Sequence, residues 1–156
     1  MSSTIQHNLD HQVIERYVES FCAYLGESAN TKPIKLNRAW VGTIPNRPGV
    51  YSIFAKNSVV YAGESGNLQA RMSDLLDSRH HVLRRNLGLE LFGKDAGFEP
   101  ATTHKRFPPE FEERLNKYIQ MKLKICLASA ALGRKEIEES LIDRYKPIYN
   151  RKGRRN

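Results

Sequence analysis

The strongest constraint on the fold is a pair of short apolar segments separated by only three residues. The segments VYSIF at 50–54 and SVVYA at 58–62 are rich in β-branched and aromatic residues, which favour strands. The Ala-Lys-Asn sequence between them is too short for a helix and fits a tight turn. The sequence therefore predicts a β-hairpin whose second strand is interrupted at Gly63 and Gly66.

Helical patterns flank the predicted hairpin. Apolar residues recur at helical spacing between Asp10 and Leu25, and Asn67 can cap a helix that runs to about Asp77. Further along, LKICLAS alternates as a strand does, and the last helix must end before Pro147. The predicted elements, in chain order, are helix 10–25, strands 50–54 and 58–62, helices 67–77, 79–87 and 110–121, strand 123–129 and helix 134–145. This order predicts an α+β fold in which a three-stranded sheet is flanked by helices.

Two segments contain many helix-breaking residues. Residues 27–48 include three prolines and are predicted to be irregular, with at most a short strand around 39–43. Glycines and prolines are also frequent in residues 88–110, which predicts an excursion from the compact core. The whole chain is interpreted as one domain, with an extension at 1–47, a core at 48–150 that contains the 88–110 insertion, and a basic tail at 151–156.

Length, composition and charge limit the class of protein. A chain of 156 residues can bury a core of its own, and no apolar run approaches the roughly 20 residues that cross a bilayer. The N-terminus lacks the apolar centre of a secretory signal, so a cytoplasmic location without membrane contact is expected. Cys22 and Cys126 could pair, but two buried free thiols are the favoured interpretation.

The net charge of +8 is unevenly distributed, which favours a polyanionic partner. A nucleic acid would be such a partner, and no protein partner is implied by the sequence. The alternative is that the basic residues form an ordinary solvated surface. The residues assigned to polyanion binding lie in two clusters, one before and within the helix predicted at 79–87 and one at the C-terminus: His80, His81, Arg84, Arg85, Arg151 and Lys152.

Two charged side chains lie next to apolar helical stripes. Glu138 shares a helix face with Leu141 and Ile142, where a carboxylate is costly to bury unless it has a partner. Arg71 lies three residues after Leu68, at the border of the preceding apolar stripe. Its planar set of donors suits a phosphate, although an arginine extending from the stripe edge to solvent is the simpler interpretation.

The order and spacing of these residues resemble the GIY-YIG nuclease family over residues 48–77 and 123–152. The resemblance depends on Gly49-Val50-Tyr51, Tyr61-Ala62-Gly63, Arg71, Glu138 and Asn150, with separations of 10 from Tyr51 to Tyr61, 10 from Tyr61 to Arg71 and 12 from Glu138 to Asn150. It implies a DNA endonuclease in which Glu138 holds Mg²⁺, for which Mn²⁺ could substitute. It further implies that Arg71 stabilises the phosphate, that Asn150 fixes loop geometry or contacts the substrate, and that Gly49 and Gly63 have structural roles.

The resemblance leaves several alternatives open. Tyr51 is the implied base if the enzyme is similar to restriction members, and Tyr61 if it is similar to repair members. Many members have His or Tyr four residues after the arginine, where this chain has Leu75, so His80 or His81 would have to supply that group. A restriction or mobile-element enzyme is favoured, and it could act as a homodimer. The alternatives are a structure-specific repair or recombination nuclease and a catalytically silent DNA-binding module.

Overall fold

The computed structural model describes residues 11–151, without the side chain of residue 151. Its helices and strands alternate along the chain in an α+β arrangement. In chain order they are α1 (His11–Leu25), β1 (Lys32–Pro33), α2 (Arg38–Gly42), β2 (Gly49–Ala55), β3 (Ser58–Ser65), α3 (Leu68–Asp74), α4 (Val82–Phe92), α5 (Pro109–Lys122), β4 (Leu123–Ser129), α6 (Arg134–Tyr145) and α7 (Ile148–Arg151).

The strands form one antiparallel sheet in the order β1-β4-β2-β3. The predicted hairpin is confirmed as β2 and β3, with Lys56 at a φ of 54° in its turn. The predicted later strand is confirmed as β4. The fourth strand, β1, is only two residues long and lies in the segment predicted to be irregular.

A bulge in the hairpin determines which way Tyr61 points. Ile53 pairs with Tyr61, but the next residue of β2, Phe54, pairs with Val59, so β3 carries one extra residue at Val60. As a result both Val60 and Tyr61 lie in the same apolar core as Tyr51. Without the bulge, strict alternation would place neighbouring residues on opposite faces.

The sheet separates two apolar cores. The first face carries Tyr51 and Tyr61 and is covered by α3, α4 and α5, together with α2 and part of α7. The second face carries Val50 and Ala62 and is covered by α1 and α6. The chain therefore leaves the second face at the end of α6 and reaches the first-face core with Tyr149 in α7.

The structure corrects three predictions. Residues 39–43, predicted as a short strand, lie mostly in α2, which Asn37 caps through its side chain. The helix predicted at 79–87 begins only at Val82, because a turn precedes it. The 88–110 segment is not wholly outside the core, since Phe92 and Phe107 are buried in it, and the residues between these two are mostly exposed.

Both cysteines are buried free thiols, as predicted. Burial raises the pKa of the Cys126 thiol to about 11, so it stays protonated near neutral pH. Among the described residues, the helices are too short or too polar to cross a bilayer.

Candidate active site

Tyr51 is the centre of a buried polar cluster on the first face. It lies in the central strand β2, opposite Gly63 of β3, and its side chain is fully buried. A Cβ atom at Gly63 would lie 2.6 Å from both Cζ and Oη of Tyr51. Glycine at this position therefore makes room for the phenol, and a larger residue would displace it. Gly49 has a packing role of a similar kind, since a Cβ there would lie 2.5 Å from Cδ1 of Leu68.

Arg71 contacts Tyr51 directly. Asn67 caps α3 and places Arg71 on the helix side that faces the sheet, where its Nε donates a hydrogen bond of 3.2 Å to Tyr51 Oη. Its Nη1 donates to Asp74 Oδ2 and to the carbonyl of His80, both at 3.3 Å. Asp74 lies three residues after Arg71, a helical spacing from which the ion pair could have been predicted. The side chain of Arg71 is 24% exposed, so part of the guanidinium remains accessible to a phosphate.

His81 completes this cluster from the turn before α4. Its Nε2 lies 2.9 Å from Tyr51 Oη, and its Nδ1 accepts a hydrogen bond of 3.2 Å from the backbone N–H of Leu83. Burial lowers the pKa of the His81 imidazole well below its usual value, and the cations Arg71 and Arg84 lower it further. His81 is therefore a neutral, buried group. Leu75, four residues after Arg71, is also buried. Its side chain has no polar atom that could bind a phenol.

Tyr61 lies beside both Tyr51 and His81. Its ring centroid is 6.0 Å from that of Tyr51 and 5.3 Å from that of His81. Burial raises the pKa of the Tyr51 phenol well above its ordinary value, and the Tyr61 phenol raises it further, while Arg71 offsets part of the shift. Tyr51 is therefore protonated near neutral pH. Tyr61 is 7% exposed, which makes it the more accessible of the two phenols.

Asn150 fixes the open edge of β3. Its Nδ2 donates to the carbonyl of Ala62 and its Oδ1 accepts from the N–H of Ala62, both at 2.8 Å. The side-chain amide thus supplies the hydrogen bonds that a further strand would make, and it attaches the segment after α6 to the strand that carries Tyr61.

Asn150→Ala is expected to lower the free energy of unfolding by about 1–3 kcal/mol, because both polar groups of Ala62 at the edge of β3 lose their partner. Chemical denaturation followed by circular dichroism measures this change. Asn150→Asp keeps the acceptor but places a second oxygen near the Ala62 carbonyl, so it should also destabilise the protein. Parental stability in both variants would show that the pairing contributes nothing.

Glu138 is half-buried on α6. The adjacent Ile137 is packed in the core of the second face, opposite the phenols. One turn before Glu138, Arg134 forms an ion pair of 2.5 Å with Glu64 near the end of β3. Beyond α6, Asn150 is bonded to Ala62, so both anchors hold this helix against β3. The structure therefore brings Tyr51, Tyr61 and Arg71 together and places Glu138 on the helix beside the outer strand.

The basic residues predicted to contact DNA do not form one surface. Arg84 is fully buried, where it forms an ion pair with Glu112 and donates to Asn116 Oδ1 at 2.6 Å, so the prediction that it contacts DNA is wrong. His81 is likewise buried and cannot be a surface contact. Arg85 is half-buried and donates to the carbonyls of the preceding turn.

Of the other predicted DNA contacts, one is accessible, and the side chains of two lie outside the described part of the chain. The side chain of His80 is 52% exposed beside Asp77, so that prediction still stands. The side chain of Arg151 and the whole of Lys152 lie outside the described residues.

A comparison with known proteins gives the family of the chain. The family model described as the GIY-YIG catalytic domain matches residues 34–156. No curated protein matches the chain. Solved structures similar to it include the GIY-YIG N-terminal endonuclease domain of UvrC from Thermotoga maritima bound to magnesium, with 19% identity over 72% of this chain and 93% of that one and a TM-score of 0.38. A point mutant of the same domain bound to the catalytic divalent cation has 18% identity over 72% and 92%, with a TM-score of 0.38.

Proposed function

Because this chain belongs to the GIY-YIG family, we propose that it is a divalent-metal-dependent DNA endonuclease that hydrolyses phosphodiester bonds, of the restriction or mobile-element type. The observation that carries the proposal is the direct contact between Arg71 Nε and Tyr51 Oη at 3.2 Å, with Tyr61 beside them. It places a cation that does not titrate and two phenols at one position on the sheet.

Arg71 would bind the scissile phosphate. Its guanidinium is partly exposed, and its fixed contacts through Nε and Nη1 orient it without covering it entirely. A guanidinium held in advance stabilises the charge that develops on the phosphoryl oxygens. One of the two phenols next to it would orient or deprotonate the attacking water.

Glu138 is the residue proposed to hold the metal. The residue types fit Mg²⁺, which prefers oxygen ligands and is usually bound through one or two carboxylates together with substrate phosphates. Within residues 11–150, no three His, Cys, Asp or Glu side chains form a metal-binding cluster, so the protein would supply few of the ligands. When bound, the cation polarises the phosphate and stabilises the leaving oxygen.

Incubation with supercoiled plasmid DNA tests the function. In the presence of Mg²⁺ the protein should convert the plasmid to nicked or linear forms, and excess EDTA should stop the reaction. Discrete fragments would support the restriction type, and cleavage confined to branched or damaged substrates would support a repair or recombination nuclease. Binding of DNA that stays intact with Mg²⁺ and with Mn²⁺ would indicate the catalytically silent module.

A further inference from the structure

We propose that His81 positions Tyr51 by donating a hydrogen bond to it from a fixed Nε2–H tautomer. In this arrangement Tyr51 retains its own proton and donates it into the site, and neither residue acts as a base. The catalytic consequence rests on the proposed nuclease function, whereas the tautomer and the contact belong to the folded chain itself.

The tautomer follows from the hydrogen bonds of His81. A neutral imidazole has one N–H and one acceptor nitrogen. The backbone N–H of Leu83 points at Nδ1 from 3.2 Å, so Nδ1 must be the acceptor. The single proton therefore lies on Nε2, which donates to Tyr51 Oη at 2.9 Å. His81 is the N-cap of α4, so the start of the helix fixes which nitrogen carries the proton.

The direction of the Tyr51 hydrogen bond follows in turn. Oη of Tyr51 receives one hydrogen from His81 Nε2 and a second from Arg71 Nε. With both donors directed at the oxygen, the phenolic hydrogen must point to a third group. Because Tyr51 is fully buried, that group is the neighbouring Tyr61 phenol, with which it shares a side-chain hydrogen bond. Because its oxygen already accepts two hydrogen bonds, Tyr51 cannot readily take a proton from water.

The charges around His81 keep the tautomer neutral. Arg71, Arg84 and Arg85 face the imidazole from α3 and α4, and the phenols of Tyr51 and Tyr61 face it from the sheet. The three cations oppose protonation of the ring, as burial does. His81 should therefore not titrate in the pH range used for enzyme assays.

This contact also accounts for the apolar residue at position 75. A polar side chain there would lie on the buried side of α3, whereas His81 reaches Tyr51 from the turn before α4. The loop 75–81 is fixed by Asp77, which forms ion pairs with Arg79 and Arg106. The polar group that contacts Tyr51 therefore comes from the turn before α4 and not from position 75.

A double-mutant cycle tests the positioning role. His81→Asn keeps an acceptor for the Leu83 N–H, because asparagine is a favourable N-cap, but its side chain is too short to reach Tyr51. It should lower kcat by about 10–100-fold, the scale of a misplaced catalytic group. In a Tyr51→Phe background the same substitution should cost nothing, because the oxygen on which His81 acts is absent. His104→Asn, at an exposed histidine, is the matched control and should leave kcat and KM unchanged.

The pH dependence separates positioning from base catalysis. Since His81 stays neutral, His81→Asn should keep the parental shape of the kcat profile and lower it at every pH. Loss of an acidic limb that the parental profile shows would overturn the proposal by identifying His81 as a base. Equal losses from His81→Asn in the presence and absence of the Tyr51 hydroxyl would also overturn it.

A spectroscopic measurement makes the test independent of DNA cleavage. Long-range ¹H–¹⁵N spectra of the full chain with labelled histidine distinguish the two neutral tautomers and the imidazolium, and the His81 signal is assigned by its loss in His81→Asn. The Nε2–H pattern is expected, and either other pattern overturns the assignment. If this pattern is found in a protein that does not cut DNA, the nuclease proposal fails while the placement of His81 stands. If the parent cuts DNA and His81→Asn cuts equally well, the positioning role fails.

Discussion

Replacing Glu138 with alanine is expected to abolish divalent-metal-dependent DNA cleavage and to leave the protein folded. A metal ligand contributes several kcal/mol of transition-state stabilisation, which corresponds to a loss of about 10³-fold or more in kcat. The packing of α6 depends on Ile137 and Leu141, which are fully buried, whereas Glu138 is only half-buried. Steady-state cleavage of plasmid DNA over a range of Mg²⁺ concentrations measures the effect, and circular dichroism checks the fold.

The neighbouring residue provides a matched control. Glu139 is exposed on the same helix, so Glu139→Ala removes the same charge and should cleave DNA at the parental rate. Glu138→Gln keeps the size of the side chain but removes its charge, and it should be nearly as inactive as Glu138→Ala. Both Glu138 variants should still bind DNA in the presence of Ca²⁺, because the basic residues are intact. Parental cleavage by Glu138→Ala would exclude Glu138 as the metal ligand.

The elements that follow local rules could be predicted closely from the sequence. The strand at 123–129 and the helix at 134–145 have the predicted bounds. Apolar residues alternate along the strand, and the helix lies between a glycine and a proline. All of these signals are local in the sequence. The hairpin was predictable for the same reason. The two-residue β1 was not, since a strand of that length has no periodicity and exists only because it pairs with β4.

The arrangement of the site depends on contacts that no local pattern contains. The bulge at Val60 directs Tyr61 to the same face as Tyr51, but residues 58–62 read in sequence as an ordinary strand. The burial of Arg84 requires Glu112, a partner 28 residues away in another helix. The resemblance implied that His80 or His81 would supply a polar group, but only the structure shows that His81 contacts Tyr51 whereas His80 is exposed beside Asp77.

Arg71→Ala is expected to lower kcat by about 10²–10³-fold, the usual cost of removing a preorganised group that stabilises developing charge. The expected loss is mainly in kcat because the contact with the phosphoryl oxygens strengthens as their charge develops. Arg71→Lys should recover only part of the rate, since a single ammonium cannot contact Tyr51, Asp74 and a phosphate in the same geometry. Single-turnover cleavage with saturating enzyme separates the chemical step from binding.

The control for this variant must remove the same charge elsewhere. Arg16 is exposed on α1, which covers the opposite face of the sheet, so Arg16→Ala changes the net charge equally without touching the phenols. It should leave the single-turnover rate unchanged. An Arg71→Ala effect confined to KM, and reversed at low salt, would mean that Arg71 only attracts DNA through its charge. A loss in the single-turnover rate that low salt does not restore would instead place the guanidinium on the reacting phosphate, where the contact with Tyr51 directs it.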